Sequence, residues 1–548
     1  MTEPDATPLQ AVPAGAAAIA TQAGRRDDRM PRGIPFIVAN EFAERFCFYG
    51  INAILTVYMT RHLHWGDADA TKWHSLFKAG AYFFPLVGAI VSDVFWGKYL
   101  TIMTFSLVYA SGCAVLALVP GQAGMFLGLG MVAFGTGGIK PCVSTNVGDQ
   151  FTSKNQHLID KAFGYFYLAI NAGSSFSIFF CPVLLQHFGP GVAFGTPAVM
   201  MVLATFVFWL GRKKFAVVPP AGRAFLDDLR KPENLLGILM LLVVYFFVAC
   251  FWMLWDQSNG QTWTLQAESS LMDKDLGFGV VLLPAQIQVV NGLLILGMVP
   301  IFTFAIYPLV GRFFTVTPLR KIGVGLFTIA ASFVIVARIE ARIQAGQVVS
   351  AWWQILAYVV LTASEVLVSI TALEFSYKQA PLRMKSFIMA LFLVSTTVGN
   401  LMTAAVNQAI KRPLAVQAID VGPRTHITLS EPPLVPGQKI DFGRGTGIDV
   451  TVDGKPQPLA GTYLVASADV AEGRYELMDV VNRKPVESSG VFRAGQDVEV
   501  TTYRLVGPEY FMFFAEVMAV VGLLFVFVAT FYRERTFVRE DEKTSTPA

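Results

Sequence analysis

Charge is scarce in this chain. Of its 548 residues only 15% are Asp, Glu, Lys or Arg, against the roughly 25% with which soluble domains cover their surface. That shortage excludes the row of soluble domains that length alone suggests. Histidine is scarcer still. The six residues lie scattered at positions 62, 64, 74, 157, 187 and 426, a spread with no metal-ligand spacing. The five cysteines, Cys47, Cys113, Cys142, Cys181 and Cys250, all fall inside apolar stretches, so no disulfide framework is expected. Neither sign of charge dominates, since the formal net charge is +3, and nucleic acid is not an expected partner. Apolar residues are plentiful: 54% of the chain is hydrophobic, with 45 Phe, and the mean hydropathy is +0.52. The 47 Gly and 29 Pro fit close helix packing and broken helices. The composition describes a chain that crosses a lipid bilayer many times, with no cofactor implied.

A span needs about twenty mostly apolar residues. Candidates lie near 35–60, 73–95, 99–118, 124–147, 159–182, 190–211, 235–263, 286–311, 318–338, 351–374, 386–410 and 508–532. Lipid offers no partner to an open strand edge, so these twelve spans are expected to be helices. Lys and Arg in the short loops set the orientation. Arg25, Arg26, Arg29 and Arg32, then Arg212, Lys213 and Lys214, then Arg533, Arg535 and Arg539 mark one side, and the opposite loops are poorer. Both termini are therefore expected in the cytoplasm. Residues 1–30 are rich in Ala, Pro and Asp without a long apolar run, which reads as a disordered tail rather than a signal peptide. The basic link 212–234 divides the rest into a six-span bundle at 31–211 and a second that starts with spans seven to eleven at 235–412. Two such halves suggest rocking about a midplane site.

Residues 413–507 break the apolar pattern. They carry nine Lys or Arg and twelve Asp or Glu. Runs such as 448–452 and 498–502 alternate as strands do, and Asp453-Gly454, Glu472-Gly473 and Ala494-Gly495 read as turns. A small β-rich domain is expected here, on the side away from the cytoplasm, followed by the twelfth span at 508–532 and a cytoplasmic tail at 533–548.

The residues that carry function are those that do not belong in lipid. An ionisable group at the centre of a span costs roughly 2.5–3.5 kcal/mol on insertion scales, and faces protein or water. In the first span Glu41, Glu44 and Arg45 stand at i, i+3 and i+4, on one helical face that Tyr49 continues. Two acids beside one base leave a carboxylate that needs another cation or a proton, which is what a proton carrier requires. The fourth span holds Lys140 just before Pro141. Lys140 is the natural partner for that spare carboxylate, or else it snorkels to the cytoplasmic rim. Asp256 in the seventh span and Glu365 in the tenth are single acids among apolar neighbours: proton sites, counter-ions to a positive ligand, or buried acids satisfied by neighbouring hydroxyls. Asn171 and Asn291 are mid-span amides that can serve a ligand or bridge helices. Lys78 and Tyr82 share a face of the second span, with His74 one turn earlier as a satisfied rim residue. A ligand with a carboxylate at one end and an ammonium at the other fits between cations of the first half and acids of the second. A short peptide has that pattern, and so does an amino acid.

At these residues the sequence resembles the proton-dependent oligopeptide transporters, a branch of the major facilitator fold. Glu41, Glu44, Arg45, Phe46, Tyr49 and Gly50 look like the family's first-span ExxER motif. Gly135-Thr136-Gly137-Gly138-Ile139-Lys140-Pro141, running on to Phe151, looks like its fourth-span signature, and Phe166 to Ser174 like its fifth. Gly88, Asp93, Gly97 and Lys98 resemble the facilitator loop after the second span. The resemblance implies that Arg45 and Lys140 face a peptide carboxylate, that Asn171 and Asn291 face its backbone and amino end, and that Glu365 binds its ammonium. It implies further that Tyr49 and Tyr82 line the pocket with Trp252 nearby, and that Glu41, Glu44 and Asp256 take part in proton coupling. There are departures. Asn52 stands where the family often has an arginine that partners the seventh-span acid, so the outer gate must close differently. Phe48 and Phe392 replace a frequent tyrosine and a frequent pocket tryptophan, and His74 is one residue out of phase with the second-span histidine of animal members.

The expectation is an all-α membrane protein, a twelve-helix major facilitator fold with a small β-rich extracytoplasmic domain. It works as a monomeric symporter of protons with di- and tripeptides, in a bacterial inner membrane, and is not an enzyme. Rivals are a relative carrying another anionic solute such as nitrate, a membrane-embedded enzyme, and a peptide sensor signalling through 413–507.

Overall fold

The computed structural model describes residues 29–152, 155, 158–216, 220, 232–277, 279–379, 385–429, 434–443, 446–452, 455–469, 472–490, 492 and 499–532. The expected amino tail up to residue 28, most of the link 212–234, the carboxyl tail 533–548 and the turns at 453–454 and 494–495 lie outside the described residues.

The apolar stretches become helices, several of them with glycine or proline at the start. The first is α1 (Ile34–Val57), which has Pro35 in its first turn, where a missing N–H goes unnoticed. Then follow α2 (Asp67–Ile90), α3 (Lys98–Leu118) and α4 (Gly121–Asp149). The stretch Ile159–Leu210 is broken at Gly189, whose φ of 80° only glycine adopts readily, into α5 (159–188) and α6 (190–210). The second set is α7 (Pro232–Ser258), α8 (Val289–Ile301), α9 (Pro318–Gln344), α10 (Trp352–Glu365), α11 (Lys385–Ala409) and α12 (Pro508–Phe531). At α9 the Thr317 hydroxyl accepts from the Arg320 N–H, capping a helix that starts on Pro318. Four helices run on through a turn of π-helix: α1 at Tyr58–His62, α2 at Val91–Trp96, α8 at Phe302–Ile306 and α10 at Val366–Ile370.

Among the described residues ten helical segments are long and apolar enough to cross a membrane, one of them the 53-residue stretch that contains α5 and α6. Helix α1, with Glu41, Glu44 and Arg45, is not one of the ten. Large apolar side chains point outward, among them Phe304, Phe313, Leu118 and Phe531, as lipid-facing surface requires. Inside, two apolar cores form. One gathers α1 to α6 around Phe48, Tyr109, Phe194 and Phe208, and the other gathers α7 to α12 around Phe251, Trp263, Phe333 and Phe514. Glycine allows α2 and α4 to meet at backbone distance: a Cβ on Gly137 would stand 2.6 Å from the Phe84 carbonyl carbon. The five cysteines are buried and free.

Two strand residues, β1 (Met272–Asp273), pair in parallel with β2 (Val349–Ser350). Between α11 and α12 the chain turns to strands. These are β3 (Lys411–Asp420), β4 (His426–Leu429), β5 (Lys439–Phe442), β6 (Ile448–Val452), β7 (Lys455–Pro458), β8 (Gly461–Asp469), β9 (Arg474–Asp479), β10 (Ser488–Gly490) and β11 (Glu499–Tyr503). Strands β11, β3, β4, β9, β8 and β5 close into a barrel, and β10, β6 and β7 form a separate sheet. The alternating apolar residues point inward: Ile440, Phe442, Tyr463, Val465, Leu477 and Val500 share the barrel core. Gly473, in the turn between β8 and β9, has the positive φ of 63° that the Glu472-Gly473 pair suggests. β3 and β11 pair antiparallel with Lys411 opposite Tyr503, so the barrel leaves and rejoins the helices at one place.

Candidate functional site

The first-span face is realised as one ion cluster. Arg45 Nε stands 2.7 Å from Glu41 Oε1 and 2.8 Å from Glu44 Oε2. The Thr136 hydroxyl donates to the other Glu44 oxygen at 2.7 Å, and Glu44 is fully buried. Lys140 does not take the spare carboxylate, as its position on α4 suggested. Its Nζ lies over the rings of Phe48 and Tyr82, 3.8 and 4.0 Å from their centroids, with no hydrogen-bond partner. One arginine bridges both acids, and the lysine is left on aromatic faces, which hold an ammonium through their quadrupoles. Nor does Lys140 snorkel, since its ammonium is buried on these two rings.

A cavity of about 200 Å³ lies between the two sets of helices. Tyr49, Asn171, Asn291 and Glu365 line it, as expected of pocket residues. So do Tyr167, Trp255 and Tyr358, which sequence reading passed over. Glu365 accepts from Asn291 Nδ2 at 2.8 Å and from Trp255 Nε1 at 3.0 Å, both at the same oxygen. Asn291 also donates to the Thr362 hydroxyl at 3.0 Å. The π-turn that follows Glu365 interrupts the helix right after this carboxylate, a placement common at functional sites. Asn171 donates to the Tyr167 carbonyl at 2.8 Å. Trp252 is absent from the lining; its indole packs edge-on to Trp255, 5.3 Å between centroids. Arg45, Lys140 and Tyr82 are not in the lining; Phe48, which packs on Tyr49, carries Tyr82 and the Lys140 ammonium on its ring.

Asp256 belongs to a different cluster. It is a counter-ion rather than a lone acid: Lys78 Nζ stands 2.5 Å from Oδ1, and Asn400 donates to Oδ2 at 2.5 Å, with Lys78 and Asp256 both buried. Asn52, standing where the arginine was missing, donates to the side chain of Asn259 at 2.8 Å. His74 is satisfied between Asn52 Oδ1 and Thr56 Oγ1, each 2.7 Å from a ring nitrogen. The Thr56 hydroxyl donates to the Gly260 carbonyl, Ser75 to Gln261 at 3.1 Å, and Thr397 to the Ala79 carbonyl at 3.0 Å. Arg61 and Glu268 pair at 3.0 Å. These links join the two sets of helices on the barrel side of the cavity.

The model of the POT family matches residues 99–232 and 226–421, more than half of the chain. The chain belongs to the POT family. Among its relatives are solute carrier family 15 member 2 of Danio rerio, 36% identical, and peptide transporter family 1 of Drosophila melanogaster, 37% identical, each matched over 57% of this chain. The chain spans about half the length of these curated relatives, 50% and 48%. Of solved structures, the POT family transporter PepTSo is 35% identical with a TM-score of 0.65, covering 70% of this chain and 90% of its own. An auto inhibited POT family peptide transporter is 29% identical with a TM-score of 0.69, covering 94% of this chain and 99% of its own.

In this POT member the signal for Lys78 was present but unused. A lysine in the middle of an apolar span needs an acid, and Asp256 was the acid whose usual cation had gone. Trp255 carried no such signal, because a tryptophan beside Trp252 reads equally as packing.

Proposed function

We propose that the protein is a proton-coupled symporter that imports di- and tripeptides by alternating access. The observation that carries this reading is the cavity with the Glu365 carboxylate on one wall and Tyr49 on the other, backed by Arg45 and Lys140. Glu365, held at one oxygen by Asn291 and Trp255, takes the peptide ammonium. Lys140, which has only rings beneath it, turns to the peptide carboxylate with Arg45. Asn171 and Asn291 meet the peptide backbone, with Tyr82 and Trp252 behind. Glu41 and Glu44 compete for the single Arg45, so a proton on either frees the guanidinium for the substrate. A ligand shifts such an equilibrium only by its difference in affinity for the two states.

In this reading the chain crosses the bilayer twelve times, with α1 counted and the long stretch divided at Gly189. Residues 31–211 and 235–412 with 508–532 form the two bundles, and 413–507 form a domain outside the cytoplasm. Both termini are cytoplasmic, and the membrane is a bacterial inner membrane. The barrel side is then the outer side. Lys78–Asp256, in place of an arginine at position 52, makes the outer gate with the Asn52, His74 and Gly260 links. With these links made, the gate in this reading is closed.

The test is uptake of labelled dipeptide into sealed proteoliposomes under an imposed pH gradient. Accumulation that follows the gradient is expected. Glu365→Gln should weaken free-amino dipeptides roughly ten- to hundred-fold, the size of one charge-assisted hydrogen bond, and amino-blocked analogues much less. Absence of accumulation by correctly inserted protein refutes the reading, and equal losses for both ligands would make Glu365 structural.

A further inference from the structure

The barrel is attached to one set of helices and grips the other. Both of its covalent ends belong to the second set: β3 follows α11 and β11 leads to α12, with the Arg504 N–H donating to the Ile410 carbonyl at 2.8 Å. The Ser270 N–H, just beyond α7, donates to the Val481 carbonyl at 2.9 Å on the same side. The same end of the barrel also rests on the first turn of α2. Lys439 Nζ stands 2.7 Å from Asp67 Oδ2, Lys411 pairs with Asp69, and the Asp67 N–H donates to the Thr462 hydroxyl at 2.9 Å. Gly66, at the start of α2, leaves room for the Asp441 side chain and no more.

Opening the gate on this side must part α2 from α7 and α11, which are joined by Lys78–Asp256 and by Thr397 to Ala79. The barrel, carried on α11 and α12, has to leave α2 in the same movement. We propose that the barrel is a clamp: it travels with the second half, holds Asp67 and Asp69 of the first, and so favours the form closed to the outside, a role that rests on the alternating-access reading above. Its ion pairs are partly exposed, which suits a clamp that must open in every cycle. A permanent brace would bury them.

A disulfide across the contact tests it in the full chain. A Cβ on Gly66 would stand 2.9 Å from the Asp441 Cβ, against roughly 3.8 Å in a disulfide, so Gly66→Cys with Asp441→Cys needs only a small shift. The native cysteines are buried, which leaves oxidation to the new pair. Oxidation should abolish dipeptide uptake and reduction should restore it, while dipeptide binding in detergent persists in both forms. Uptake at an unchanged rate by the oxidised protein overturns the clamp.

A second measurement needs no substrate. Spin labels at the exposed positions His62 and Gln347 report the separation of the two halves at the outer end. Lys411→Gln with Lys439→Gln should raise the widely separated population several-fold, and an unchanged distribution overturns the clamp. Wider separation in a protein that accumulates no peptide would leave the clamp standing and remove the transport reading alone.

Discussion

Lys78 and Asp256 show what a single residue can carry in this chain. Both are buried, and their ion pair is completed by one amide, Asn400. Removing either partner leaves the other charge without compensation in a dry interior. The expected loss is about 3–5 kcal/mol, where replacing both together with apolar residues of similar size is close to neutral. Lys78→Met and Asp256→Leu should therefore each lower the melting temperature steeply, and the double variant should recover most of the loss. Thermal melts of the three proteins in one detergent check this. Singles that melt like the unmodified protein would show that the pair is open to water and contributes little. The double variant also separates stability from gating: on the proposed alternating-access function, a stable protein without the Lys78–Asp256 pair should populate the outward-open form more than its parent does.

At the scale of elements, much of the helical part was legible because lipid imposes one rule along the whole chain. Spans near 35–60, 99–118 and 318–338 coincide with α1, α3 and the first three quarters of α9. The two spans at 159–182 and 190–211 are there, joined through a kink at Gly189. The strands at 448–452 and 499–503 follow their alternation, but closure into a barrel was not legible, because pairing between β11 and β5 links residues some sixty positions apart. The docking of barrel on helix was hidden for the same reason. It places Asp441 beside the Thr462 and Tyr503 hydroxyls and against Asp67. Burial, then the nearby carboxylates of Asp67 and Asp69, push the Asp441 carboxyl up to about 8, against an opposing pull from Thr462 and Lys439. The sign follows. The docked barrel holds a proton that an undocked or unfolded one loses near the ordinary carboxyl range of about 4. Docking is therefore strongest in acid, weakens between about pH 4 and 8 by at most about 1.4 kcal/mol per pH unit, and is level above that. Asp441→Asn carries no titrating group and should flatten this slope, melting above the unmodified protein at pH 8 and beyond. Melting curves from pH 5 to 9 decide it; parallel slopes in the two proteins would place the titrating group elsewhere.

At the scale of the whole molecule, the barrel has an apolar core of its own, separate from those of the two sets of helices. A body with its own core can be removed if the chain can be rejoined, and here the joint is short. Lys411 and Tyr503 are directly opposed partners, so their Cα atoms lie about 4.5–5.5 Å apart. A two-residue Asn-Gly turn closes such a gap, and replacing 412–502 with it leaves Lys411 in place to meet Asp69. What is lost is the Lys439–Asp67 pair and the Thr462 contacts on α2, partly exposed interactions of about 0–1 kcal/mol each, and the bond from the Ser270 N–H to the Val481 carbonyl. The shortened protein should fold, with a melting temperature only a few degrees lower, and should bind dipeptide, because Glu365, Asn291, Asn171 and Tyr49 all lie in the helices. Released from the clamp, it should open outward more often and accumulate peptide at least as fast as the full chain. Melting temperature and uptake measured on the same preparation separate the outcomes. A protein that fails to fold would make the barrel a brace for α11 and α12. One that folds and binds peptide yet transports none would make it part of the transport path.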